Sequence, residues 1–239
     1  MTDREHEQDR AADADLERRA DVASAAGQSG TRRYPRHSAA GPSHAALQPA
    51  GRLFVITGGP GSGKTSVIDA LAARGFHTSV EAGRSIIREQ LDAGGSALPW
   101  LNAALFADLM LAHEIRSYRD ALAMSQPAFF DRGIPDVAGF LRLMSLPIPP
   151  AVTTAARRFR YDRRVFIAPP WQDIFEQDAE RRQSFAESVA THDAMVHAYT
   201  ASGYELLPLP FTAVAERVNY ILRVAQRSDT DAGSEALRS

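Results

Sequence analysis

Gly58-Gly59-Pro60-Gly61-Ser62-Gly63-Lys64-Thr65 is the stretch on which the reading of this chain turns. It fits G-x-x-x-x-G-K-[ST] at every fixed position, the pattern of a phosphate-binding loop. Its lysine is also the only lysine present: of 27 Lys and Arg residues, 26 are arginine. A chain that uses arginine for every other cation keeps lysine where a compact, flexible ammonium serves better than a planar fork. An ammonium reaching the β- and γ-phosphates of a nucleotide is such a case.

The flanks supply the context that the motif requires. Leu53-Phe54-Val55-Ile56-Thr57 is a short apolar run that reads as a buried strand. Ser66 to Arg74 is rich in helix formers, and Gly75 closes it. Strand, glycine loop and helix in this order let backbone N–H groups curl around phosphate oxygens while the helix N-terminus adds its positive end. The predicted nucleotide-binding residues are Gly58, Gly59, Pro60, Gly61, Ser62, Gly63, Lys64, Thr65 and Ser66. The Thr65 hydroxyl is placed to meet Mg²⁺.

The bulk composition bounds the rest. The chain has 239 residues, a hydrophobic fraction of 44% and a formal net charge of −2. That balance exerts no general pull towards nucleic acid or anionic membrane. Without cysteine there is no disulfide, thiolate metal site or cysteine nucleophile. No apolar run approaches the roughly 18 residues of a membrane span, and the polar N-terminus carries no secretory h-region. The expectation is a cytoplasmic protein. Residues 1–50 hold few large apolar side chains and are expected to be a disordered tail, as are residues 228–239. Residues 51–227 are then one folded unit.

Along that unit, short apolar strands alternate with helices. Strands are expected at Phe76–Val80, Ala128–Asp131, Val165–Ala168 and Tyr204–Pro208. Helices are expected at Gly83–Ala93, from Pro99 through about Met124, Pro135–Met144, Ala151–Phe159, Asp178–Ser202 and from about Thr212 to Arg227. This alternation predicts a five-stranded parallel sheet with helices on both faces, an α/β P-loop NTPase fold of kinase type with a lid. Ligands of such sheets sit beyond the carboxyl ends of the strands. The charged residues Glu81, Asp131 and Arg132 fall at those ends.

Each admits a chemical and a structural reading. Asp131 follows Phe129-Phe130, as a Walker-B acid follows its strand. Such a carboxylate holds Mg²⁺, directly or through water, or takes a proton from an acceptor hydroxyl; helix capping is the competing use. Glu81 and Arg84 follow the second strand, where a kinase meets its acceptor. There Glu81 can accept from a substrate hydroxyl and Arg84 can pair with an anionic group; a cap and a solvated helix face are the plain alternatives. Arg181 and Arg182 lie between the last two strands, where a lid would place them against the transferring phosphoryl group. Alternatively they form exposed ion pairs on a helix. The cluster Arg157, Arg158, Arg160, Arg163 and Arg164 reads as solvated surface or a partner patch. His77, His113, His192 and His197 lack metal-ligand spacing, and Trp100, Trp171 and Tyr199 read as core or rim.

Taken together, the P-loop run, Glu81-Ala82-Gly83-Arg84, Phe130-Asp131-Arg132-Gly133-Ile134-Pro135-Asp136, Phe166-Ile167-Ala168-Pro169-Pro170-Trp171 and Asp178-Ala179-Glu180-Arg181-Arg182 resemble the NadR-type AAA/ATPase domain family. The resemblance covers roughly residues 52–223. It implies a P-loop fold related to nucleoside and nucleotide kinases, whose relatives include ribosylnicotinamide kinase domains and a eukaryotic nucleotide- and phosphoinositide-binding branch. The nucleotidyltransferase and DNA-binding segments that accompany the NadR kinase domain are not in this sequence, and the nicotinamide riboside substrate is not carried over.

The expected activity is Mg²⁺-dependent ATP binding with transfer of the γ-phosphoryl group to an unidentified small molecule. On this reading Asp131, Glu81, Arg181 and Arg182 are catalytic, Thr65 and Asp131 hold Mg²⁺, and Glu81, Arg84 and Arg132 face the acceptor. The alternative is a nucleotide-dependent switch or lipid- or protein-binding module with little phosphotransfer. An N-K-x-D guanine signature cannot exist where Lys64 is the only lysine, which favours ATP over GTP. An oligomeric AAA+ motor is disfavoured, because no helical small domain follows the core.

Overall fold

The computed structural model describes residues 53–124, 126–175 and 184–226. Both tails expected to be disordered, and Arg181 and Arg182, lie outside them. Five strands, β1 (Leu53–Gly58), β2 (His77–Thr78), β3 (Ala128–Asp131), β4 (Arg164–Ala168) and β5 (Glu205–Pro208), pair in parallel in the order β2-β3-β1-β4-β5. The helices are α1 (Lys64–Ala73), α2 (Ala82–Ala93), α3 (Ala103–Leu122), α4 (Ile134–Leu143), α5 (Pro150–Arg158), α6 (Phe185–Ala201) and α7 (Val214–Gln226).

The strands are continuously apolar because both of their faces are covered. Period-two geometry sends Phe54, Ile56, Phe129 and Phe166 to one face, where Val67 and Leu71 of α1 and Val218 and Ile221 of α7 bury them. Val55, Phe130 and Val165 face the other way, onto α3, α4, α5 and α6. Phe54 stacks on Phe129 at 5.4 Å between ring centroids, linking β1 to β3 across the first face. Each fully buried side chain of this size contributes about 1.5–3 kcal/mol relative to exposure.

Several boundaries differ from the sequence reading, for physical reasons. Only His77 and Thr78 of the second apolar run pair with β3; Val80 is 69% exposed, beyond the sheet edge. The long helix starts at Ala103 rather than Pro99, because Asn102 accepts the Leu105 N–H at 3.0 Å and caps it. In α6, Ser184 and Glu187 form a reciprocal capping box, with Ser184 N–H donating to Glu187 at 2.6 Å and Glu187 N–H to Ser184 at 3.2 Å. The arginine cluster before β4 is partly structural. Arg164 holds Asp162 at 2.8 Å and the Val224 carbonyl at 2.9 Å, and Arg160 lies over Tyr204 while donating to the Ser202 carbonyl.

Candidate functional site

The loop after β1 and the first turn of α1 carry the residues expected to bind nucleotide. Gly58 ends β1, Gly59 to Gly63 form the loop, and Lys64, Thr65 and Ser66 open α1, with Thr65 and Ser66 exposed. Gly63 occupies the N-cap at φ 77°, a left-handed conformation that other residues adopt at a cost. Gly59 is required for a different reason: a Cβ there would stand 2.2 Å from the Ser188 carbonyl oxygen of α6. Ser188 also donates its hydroxyl to the Pro60 carbonyl at 2.6 Å, so α6 buttresses the loop. Lys64 Nζ donates to the Gly59 carbonyl at 2.6 Å and approaches Ser62 Oγ at 3.3 Å, curled over the loop. From the other side, the α7 residue Arg217 donates Nη1 to the Ser62 carbonyl at 3.1 Å. Its Nε and Nη2 are buried without partners, and burial lowers its affinity for the proton.

Beside the loop, the ends of β2 and β3 assemble a buried charge network. Arg132 follows β3 at φ 75°, an uncommon conformation for a residue with a side chain. It is held there by its own N–H on the Ile56 carbonyl at 3.0 Å and by its guanidinium. Nε meets Glu81 Oε1 at 3.2 Å, and Nη1 meets both the Gly58 carbonyl at 3.0 Å and Asp136 Oδ1 at 3.1 Å. Burial opposes the guanidinium charge, but Glu81, Asp136 and Asp131 outweigh it and bind its proton more tightly. Glu81 stands at the N-cap of α2, yet its side chain makes no capping bond. Its second oxygen forms an ion pair with Arg84 Nε at 3.1 Å. Arg84 is thus joined to the same network from α2.

Asp131 presents a different environment. Its backbone N–H donates to Ser79 Oγ at 3.1 Å, while its side-chain Oδ1 is buried with no partner. Burial, reinforced by the Glu81 charge, pushes its carboxyl up to about 6, against the pull of Lys64 and Arg132. An orphaned, destabilised carboxylate oxygen next to an ammonium suits a divalent cation, which would restore both partner and charge. No group of three or more His, Cys, Asp or Glu side chains forms a metal cage among the described residues.

Asp136, in the first turn of α4, is the hub of this network. Its Oδ1 accepts from Thr57 Oγ1 at 2.6 Å and from Arg132; its Oδ2 accepts from the Gly133 N–H at 2.9 Å and the Tyr199 hydroxyl at 2.6 Å. Glu114, 2% exposed on α3, was missed by the sequence reading. Burial, with Asp136 and Asp131 nearby, raises its carboxyl well above the usual range. No local pattern marks either residue; only the tertiary arrangement brings them to the site.

A cavity of about 760 Å³ opens from this network. Pro60 of the loop, Glu81, Arg132 and Asp136 form its polar wall, and Ile87, Phe106, Met110, Phe140 and Met195 line the remainder. It lies between α2, α3, α4 and α6, on the β2–β3 side of the loop.

A family model described as an AAA domain matches residues 53–217, most of the chain. The chain belongs to this AAA-domain family. Among solved structures the AAA domain is similar to a NadR protein crystallised with NR, with 14% identity and a TM-score of 0.54. That match covers 74% of this chain and 51% of the other, so the chain spans about half the length of the NadR protein. Thymidylate kinase from Ehrlichia chaffeensis matches at 14% identity, a TM-score of 0.49 and coverage of 75% and 100%. Deoxyadenosine kinase from M. mycoides with bound dATP matches at 10% identity, a TM-score of 0.46 and coverage of 73% and 100%. No curated protein matches the chain. The parallel sheet, the loop after β1 and the NadR likeness make this an α/β P-loop NTPase fold. Among the described residues no helix is long and apolar enough to cross a membrane.

Proposed function

We propose that this AAA domain is a Mg²⁺-dependent ATP phosphotransferase that moves the γ-phosphoryl group onto a small-molecule hydroxyl. The observation that carries this reading is the adjacency of the phosphate loop and a cavity able to take an acceptor. The 760 Å³ cavity reaches Pro60 of the loop and has Glu81 and Arg132 in its wall. A switch needs the loop but not such a cavity.

In this mechanism Lys64 and the amides of residues 59–66 hold the β- and γ-phosphates. Lys64 exchanges its present bonds to Gly59 and Ser62 for phosphate oxygens. Thr65 and Asp131 would hold Mg²⁺, which when bound neutralises charge on the transferring group. Arg132 locks Glu81 in place, and Arg84 flanks it at the acceptor side. The acceptor oxygen bonds to the γ-phosphorus as the bond to the β-phosphate oxygen breaks, and the hydroxyl proton leaves to the Glu81 carboxylate. Arg181 and Arg182 act on charge that spreads over the phosphoryl oxygens.

The test is ADP release from Mg²⁺–ATP measured against a panel of alcohols and metabolites. Turnover that rises with one acceptor supports the proposal. Turnover indifferent to every acceptor, with nucleotide bound, favours the switch.

A further inference from the structure

The acceptor cavity has a composition that selects its occupant. Resting on the phosphotransferase reading, we infer that the acceptor is an alcohol with an apolar body and no anionic group, neutral or cationic. Three observations converge on this class.

The first is charge. The described side chains lining the cavity include three carboxylates, Glu81, Asp136 and Glu187, and one cation, Arg132. The Arg132 charge is matched by Glu81 at 3.2 Å and Asp136 at 3.1 Å, and Arg84, which flanks the acceptor side, is paired with the second Glu81 oxygen at 3.1 Å, so three carboxylates stand against two engaged guanidiniums. A phosphate or carboxylate on the acceptor would therefore enter a wall with excess negative charge, a repulsion that weakens binding in a partly desolvated site. An acceptor that already carries a phosphate needs the opposite balance, with arginine or lysine turned towards it.

The second is the apolar surface. Phe106, Met110, Phe140 and Met195 form the interior, while Trp100, 63% exposed, and Met144, 40% exposed, form an apolar rim. Exposed aromatic and thioether groups around a concave entrance are what an apolar ligand covers on binding.

The third is the scarcity of neutral hydrogen-bonding groups. Thr191 and, at the rim, the Trp100 indole N–H are the only side-chain groups of that kind in the described lining, and no Asn or Gln is present. A ligand with several donors and acceptors around its edge would leave many of them unpaired, at a cost for each. The polar wall lies at one end, beside Pro60, where a single hydroxyl is needed and where Glu81 can receive its hydrogen bond. The cavity thus orients an amphipathic alcohol with its hydroxyl towards the loop. Its volume falls in the range of about 300–1,000 Å³ that small-molecule sites occupy.

The experiment measures binding of five probes to the full chain by calorimetry and thermal melt. They are 2-(2-naphthyl)ethanol, its 2-aminoethanol analogue, 2-naphthylacetic acid, 2-naphthyl phosphate and adenosine. The expected result is that one or both alcohols bind at least tenfold more tightly than the carboxylate, the phosphate and adenosine. Ala190→Phe, at an exposed cavity-lining position of α6, should weaken that binding tenfold or more by filling the entrance. Equal or tighter binding of an anionic probe or of adenosine overturns the inference, as do a flat response to both alcohols and an Ala190→Phe variant of unchanged affinity. A melt with Mg²⁺–ATP on the same preparations reads the nucleotide site separately. If that shift is present while the alcohols fail, the acceptor class is wrong and the nucleotide reading stands; if the shift is absent, the nucleotide reading fails by itself.

Discussion

The Tyr199 hydroxyl donates to Asp136 Oδ2 at 2.6 Å, joining α6 to the first turn of α4. Tyr199 is fully buried, and Asp136 is 1% exposed. Removing the hydroxyl leaves a buried carboxylate with three donors instead of four. Tyr199→Phe should therefore lower stability by about 1–3 kcal/mol, several degrees in a thermal melt of a chain this size. A melt that superimposes on the parent would mean that the remaining donors compensate fully.

Lys64→Ala tests the loop. A ligand that binds only the folded state stabilises it by about 2.7 kcal/mol at 100 times its Kd. The parent should gain on that scale from Mg²⁺–ATP, and the variant should lose most of the gain. An undiminished shift in the variant would remove Lys64 from the nucleotide site.

Asp131 gives a pH signature. Its carboxyl is raised from 3.8 to about 6 in the fold, so the folded state binds the proton more tightly than the unfolded chain does. The associated stability is fully present below pH 3.8 and is lost as pH rises through about 6. Glu114, also raised, acts in the same direction. Asp131→Asn should consequently raise the melting temperature of the nucleotide-free protein at pH 7.5 and flatten its decline between pH 4 and 6. The same variant should lose the Mg²⁺-dependent part of the nucleotide shift. A variant less stable than the parent at pH 7.5 would show that the charged carboxylate is stabilising.

Much of this arrangement could be read before any coordinates. The loop pattern, its flanking strand and helix, and the acid after Phe129-Phe130 are contiguous in sequence, so local chemistry reveals them. Asp136 could not be weighted in the same way. Its importance comes from Thr57, Gly133, Arg132 and Tyr199 converging on it, and Tyr199 lies 63 residues away. Arg132, read from the sequence as facing a substrate, does line the cavity, and no local signal told that its guanidinium also braces Glu81 and the Gly58 carbonyl. Arg217 carried no signal at all, since an arginine on a closing helix normally faces water; here it is 1% exposed.

That arginine supports a fourth prediction. Arg217→Met removes two buried donors that lack partners, so the fold should keep or gain stability. The Ser62 carbonyl loses its brace, and nucleotide affinity should fall by several-fold in a titration. A marked fall in melting temperature with unchanged affinity would show a purely structural residue.

Arg181 and Arg182 provide the last test, because an effect on the transferring group belongs to the transition state. Each change to alanine should lower kcat by about 10²-fold or more and alter nucleotide affinity little. Parent-like turnover in both variants would assign them to an ordinary exposed surface.

The order β2-β3-β1-β4-β5 puts the loop-bearing strand in the middle of the sheet. Arg132, with Glu81 behind it, reaches the loop from the β3 side, and Arg217 reaches it separately from α7. Mutational drift beyond β2 and β3 can therefore remodel one flank without rewriting the other. On the phosphotransferase proposal, a scaffold divided in this way can exchange what it acts upon while conserving what powers it.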